Sequence, residues 1–195
     1  MPRGRPREFE PEEALDAALL LFWRHGYEGT SLAALTEAMG INMPSLYAAF
    51  GNKEMLFRKA LDRYIQKPAS YLPRALNEPT ARGVAERLFR GAIDMVMNPR
   101  HPDGCLLVQG ALASGPVAES VQKELSRRRA AAGAAVRRRF ERAVAEGDLP
   151  ASVDPAKLAR YLITVIWGLS VQAAGGATRA QLKEVVELSM RCWPE

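Results

Sequence analysis

Residues that most often carry chemistry are scarce in this chain. It has two cysteines, Cys105 and Cys192, and two histidines, His25 and His101, among 195 residues. Two cysteines cannot build a disulfide framework, and no Cys or His cluster falls at zinc-ligand spacing. A glycine-rich nucleotide loop and a nucleophile elbow are missing too. No enzyme class is therefore indicated, and neither a metal nor any other cofactor is expected. No apolar run is long enough to span a bilayer, and the N-terminus is polar and proline-rich rather than signal-like. A cytoplasmic protein with no membrane partner is expected. Strand signals, repeats and low-complexity tracts are lacking as well.

Charge gives little help. The net charge is +5, but up to Lys67 nine basic residues meet nine acidic ones, leaving 18 basic and 13 acidic downstream. The informative charges are local: Arg3, Arg5 and Arg7 stand in a Pro- and Gly-rich arm that cannot be helical. Such an arm either enters a minor groove or is a disordered tail.

What the chain has in abundance is helical periodicity. Hydrophobic residues make up 48% and charged residues 25% of the sequence, a globular balance. Thr30 to Glu54 reads TSLAALTEAMGINMPSLYAAFGNKE. Thr30 or Ser31 can cap a helix whose stripe is Leu32, Leu35 and Met39. Gly40 ends it, and Asn42 caps a second helix with Pro44 in its first turn. Leu46 and Phe50, four residues apart, form that helix's buried side. Pro44 and Ala48 centre on the opposite side, flanked by Ser45 and Tyr47, with Met43 at the exposed end. Asn52 then caps a further helix that opens with Lys53 and runs to about Gln66. Two short helices about a tight turn are the layout of a helix-turn-helix.

The segment from Phe22 to Phe57 resembles the DNA-binding region of the TetR/AcrR family of bacterial transcriptional regulators. The matching residues are Phe22, Gly26-Tyr27, Thr30-Ser31, Leu35, Gly40-Ile41, Leu46-Tyr47, Phe50, Lys53-Glu54 and Leu56. The resemblance implies an all-α homodimer whose C-terminal domain binds a small effector and releases double-stranded operator DNA. Met43 and Ala48 depart from it, since the family often carries a basic residue and a polar residue there. Phosphate contacts are expected from Thr30, Ser45, Tyr47 and Lys53, base contacts from Met43, Pro44 and Ala48, and Ser31 and Asn42 complete the expected DNA site. From the residues alone a rival stays open: a small-molecule-binding or interaction module with a vestigial helix-turn-helix, supported by the neutral N-terminal region and the thin polar reading face.

The expected organisation is a helix-turn-helix domain over 1–67, with its basic arm, and an effector and dimerisation domain over 68–195. About nine helices are expected in total. Pro68, Pro73 and Pro79 mark the hinge. Downstream helices are expected at about 82–97, 105–114, 117–146 and 155–174, the last helix starting at the Thr178/Gln181 capping box. Phe89, Ile93, Met97 and Trp167, with Met95 and Tyr161 of the same character, either line an effector pocket or simply fill the core. Cys105, at an expected helix start beside Arg100 and His101, is either a thiolate sensor or a small buried residue packing that helix start; a hydrophobic or an electrophilic effector both fit. The resemblance places the dimer in the last two helices, where Leu158, Leu162, Val165, Leu169, Leu182, Val185 and Val186 repeat at helical spacing. The arginine runs at 127–129 and 137–139 read as a solvated face, an anion site or a second nucleic-acid patch.

Overall fold

A computed structural model describes residues 9–112 and 119–194, with the side chains of 110–112 left aside. The arginine arm and the expected breaks at Ser114 and Gly115-Pro116 lie outside the described residues. Ten helices are described: the expected long ones and one extra short turn. In order they are α1 (Pro11–His25), α2 (Leu32–Met39), α3 (Met43–Phe50), α4 (Lys53–Gln66), α5 (Tyr71–Ala75), α6 (Ala81–Val96), α7 (Leu106–Leu112), α8 (Glu119–Ala145), α9 (Pro155–Ala174) and α10 (Arg179–Arg191). No strand is found among the described residues. Periodicity does not predict α5, because Pro73 sits inside it and five residues are too few to show a stripe.

Sequence chemistry sets the boundaries. Pro11 sits in the first turn of α1 with Glu12 and Glu13, whose charge suits a helix N-terminus. Asp154 Oδ1 caps α9, accepting from Ala156 and Lys157 N–H, and the Thr178/Gln181 capping box starts α10. Gly40 ends α2 at φ 64°, a left-handed conformation that side-chain-bearing residues rarely adopt.

The three-helix head is closed by α4 against α1. Phe22 meets Phe57 edge-on at 5.0 Å and Trp23 meets Tyr64 at 4.8 Å. Ion pairs line the rim of this contact: Arg63 holds Asp16 at 2.6 Å and also pairs with Glu12, while Lys67 reaches Asp16 at 2.9 Å. In the larger body α6 is central. Its buried side, from Val84 through Leu88, Ala92 and Val96, packs against α5 and α9. α8 and α9 pack alongside each other.

Candidate DNA interface and effector cavity

The turn between α2 and α3 is fixed by backbone bonds. Gly40 N–H donates to Glu37 O at 3.1 Å and Ile41 N–H to Thr36 O at 3.0 Å. Ser31 Oγ accepts from Ala34 N–H at 3.0 Å and so caps α2. Asn42 Oδ1 accepts from Ser45 N–H at 2.9 Å and caps α3. Leu46 and Phe50 are buried, so α3 can turn only its other side outward. Pro44, Tyr47 and Ala48 are exposed there, and Met43 and Ser45 are half-buried at its edge.

Thr30 departs from its expected role. It is buried, and its hydroxyl donates to Gly26 O at 2.7 Å, so the hydroxyl is engaged in bracing the α1–α2 turn. Lys53, the first residue of α4, places its ammonium 4.3 Å from the centre of the Tyr27 ring. That cation–π contact holds the charge at a helix N-terminus. Partial desolvation lowers the Lys53 pKa, with Glu28 opposing the shift.

A second feature lies between α4, α5, α7, α8 and α9. It is a largely apolar cavity of about 380 Å³ that reaches Tyr64, Tyr71, Cys105, Ile166 and Trp167. The space exists because α8 presents Ala131, Ala132 and Ala135 to it. That alanine run is the sequence signal for the space, and a search for apolar stripes passes over it. Of the expected lining residues, Cys105 and Trp167 are present. Phe89 and Ile93 are instead core side chains of α6, and Met97 packs against the same core. An apolar periodic stripe marks the side of a helix that is buried, and it cannot say whether a hole adjoins it.

Of the two readings of Cys105, its burial favours the packing one. It stands just before α7, and its carbonyl accepts from Val108 and Gln109 N–H, as a helix N-cap should. Yet the thiol is buried, and burial raises its pKa despite the opposing bond from Tyr64. The Tyr64 hydroxyl lies 3.1 Å from Cys105 Sγ and 3.3 Å from Met95 Sδ, with one proton to share between them. The neighbours expected to favour a thiolate are elsewhere engaged or turned away. His101 Nδ1 lies 3.0 Å from Met95 O, and Arg100 is exposed.

Charged residues tie the cavity's rim to α4. Glu124 of α8 is 5% exposed and accepts from Arg127 at 2.7 Å, Arg128 at 2.6 Å and Arg58 of α4 at 3.2 Å. The Arg127 and Arg128 bonds hold its carboxyl at about 2, against the ordinary 4.5. Arg128 also pairs with Asp62 of α4 at 2.7 Å. The arginine runs are thus interior fittings as much as a solvated face. Arg139 is buried and donates to the Glu78 and Pro79 carbonyls, while Arg138 stays exposed.

The expected dimer residues divide. Leu162, Leu169 and Leu182 are buried within the protomer's own core. Leu158, Val165 and Val186 are half-buried, and Val185 is exposed. Tyr161, Val171 and Leu188 are exposed large apolar residues that lie outside the expected stripe. Val165, Gly168, Gln172, Gln181 and Val185 line an open groove between α9 and α10.

The comparisons with known proteins agree with this architecture. A profile of bacterial regulatory proteins of the tetR family matches residues 14–60, and a tetracyclin repressor-like C-terminal domain matches residues 84–187. The HTH-type transcriptional repressor ComR of Escherichia coli K12 is 35% identical over 195 residues, covering 99% of this chain and 93% of ComR. The repressor BdcR of the same organism is 38% identical over 120 residues, 60% of each chain. Among solved structures, a cysteine mutant of the TetR family regulator CifR, complexed with 26-bp double-strand operator DNA, is 45% identical. It superposes with a TM-score of 0.93 over 98% of this chain and 100% of that one. With both of its regions matched, and one relative covered nearly end to end, the chain belongs to the TetR family of bacterial regulatory proteins.

Proposed function

We propose that this chain is a cytoplasmic repressor that binds palindromic operator DNA as a homodimer and leaves it when a small molecule fills the α4–α9 cavity. The observation that carries the reading is α4, which belongs to both halves of the device. Lys53 opens it on the DNA side, and Arg58, Asp62 and Tyr64 engage Glu124, Arg128 and Cys105 of the body. At 1.5 Å per residue, Lys53 and Tyr64 are about 17 Å apart along one rigid helix. A ligand that displaces the Tyr64 end moves the Lys53 end, and two recognition helices so moved no longer match successive major grooves.

In this reading Tyr47, Ser45 and Lys53 meet phosphates, and Met43, Pro44 and Ala48 meet base edges. The boundary between DNA-binding and effector units falls at the turn after Lys67. Dimerisation uses the outward side of α9 and α10, with Tyr161, Val165, Val185 and Leu188. The apolar lining points to a hydrophobic effector. The buried, protonated thiol of Cys105 makes a thiolate sensor the weaker design.

Selection of bound duplexes from a random library, followed by titration, tests the proposal. A palindromic sequence should emerge. Lys53→Ala should weaken every duplex alike and flatten the slope of log K against log salt by about 0.9 for each phosphate it leaves without its cation. Because α3 offers mainly apolar groups to bases, replacing operator thymines with uracil should also reduce affinity. Retention of full affinity and slope in Lys53→Ala overturns the docking. Failure to enrich any duplex returns the chain to the class of small-molecule-binding modules.

A further inference from the structure

Beside the hinge lies another cleft, larger than the apolar cavity and bordered by several basic side chains. It spans about 880 Å³ and is walled by α1, the turn after α4, α5, α6 and the loop that follows α6. Lys67, Arg74, Arg87, Arg90, Arg100 and His101 reach it, against the carboxylates of Asp16 and Asp94. Both carboxylates are already neutralised. Asp16 is held by Arg63 at 2.6 Å and Lys67 at 2.9 Å, and Asp94 by Arg179 at 2.5 Å. Arg87, in turn, is spoken for by Glu78 at 3.3 Å.

Three guanidinium groups are left: Arg74 from α5, Arg90 from α6 and Arg100 from the loop after α6. None has a carboxylate partner among the described residues; Arg138 and Arg160 are unpaired there too, but they stand singly on helix surfaces outside the cleft. Arg74, Arg90 and Arg100 are exposed, and three like charges brought to one concave surface from three segments raise a local positive potential that an anion offsets. Guanidinium forks suit oxyanions in particular, because each can give two parallel N–H bonds to a carboxylate or phosphate.

We propose that this cleft is a binding site for a small oxyanion carrying two or more negative charges, separate from the apolar effector cavity. The two sites share a wall. Tyr71 of α5 borders both. Its close seat on α6 depends on Gly91, where an added Cβ would come within 2.5 Å of Tyr71 Cβ. An oxyanion that draws Arg74 and Arg90 together therefore presses α5 and α6 onto the wall of the effector cavity. The chain then reads two chemical signals, one apolar and one anionic, at the two sides of one residue.

Calorimetric titration of the full chain with sodium pyrophosphate and, separately, sodium citrate tests this without DNA. The ionic strength is held constant at about 0.15 M with chloride. Saturable binding at one site per chain is expected. It should weaken at least tenfold in R74Q/R90Q/R100Q, whose folding is checked by circular dichroism. A matched control, R138Q/R142Q/R160Q, removes the same charge from exposed positions outside the cleft and should bind as the wild type does. A response to pyrophosphate alone assigns phosphate esters as the ligand class, and a response to citrate alone assigns polycarboxylates. No saturation by about 10 mM of either anion overturns the proposal. So does unchanged binding in the cleft variant, or equal weakening in the control.

Discussion

The head and the body of this protein are packed to different standards. In the head, rings interlock: Phe57 sits edge-on to Phe22 at 5.0 Å and to Tyr27 at 5.2 Å, and Trp23 closes on Tyr64. In the body, α8 and α9 face each other partly across alanines, and about 380 Å³ stays unfilled. Close packing transmits a displacement undiminished, while a cavity offers a place where a ligand can create one. A rigid reader joined to a compliant receiver is the arrangement a ligand-released DNA-binding protein needs. α4 is the member common to both.

The most severe way to break that contrast is to truncate equivalent core residues on either side. Phe57→Ala removes a ring from a filled site and should cost about 3–5 kcal/mol. Ile166→Ala enlarges a void that already exists, and should fall at the low end of the range for such truncations, about 2 kcal/mol. Denaturant midpoints measure both. If Ile166→Ala is as costly as Phe57→Ala, the cavity is not the soft part of the molecule.

Acid sharpens the comparison next, because Glu124 latches the body to α4. Its carboxyl is held down at about 2 by Arg127 and Arg128, against an ordinary 4.5. A depressed folded-state value stabilises the native state above the unfolded pKa, and that contribution disappears as pH falls from about 4.5 towards 2. Its size is on the order of 2–3 kcal/mol. The stability difference between wild type and Glu124→Gln should therefore shrink across that window and level off above it. Glu54 and Asp16 also titrate low, but they are common to both proteins. A difference that stays constant from pH 5 to 2 would mean that Glu124 does not set the latch.

Legibility in the sequence follows the same division. The head can be read because its signals are local. Gly40 needs a left-handed turn, Asn42 caps the next helix, and Leu46 with Phe50 leaves one possible buried side. The error there, Thr30, is a choice between adjacent hydroxyls that local spacing leaves open, and the fold settles it by burying one. In the body the informative facts are relations between distant segments. Leu162, Leu169 and Leu182 carry the same stripe whether they face a symmetry mate or their own core. The two readings of Cys105 are separated by Tyr64, 41 residues away, and by the surrounding core that encloses the thiol. Cavities, buried latches and the unpaired arginines of the hinge cleft arise from tertiary juxtaposition, which helical periodicity cannot encode.

The smallest effect separates the two regions most cleanly. Asn42 and Thr178 do the same job, each accepting a hydrogen bond from the backbone N–H three residues on and so satisfying an orphan donor. Asn42→Ala and Thr178→Ala should each cost about 1 kcal/mol of stability. Their consequences for DNA should differ. Asn42 fixes the first turn of α3, the helix proposed to read the groove, whereas Thr178 caps α10 in the body. Operator titrations matched for stability loss should then show a several-fold weakening for Asn42→Ala and almost none for Thr178→Ala. Equal weakening by the two would mean that global stability, rather than the set of the reading helix, controls DNA affinity, and the head would lose its claim to being the rigid half.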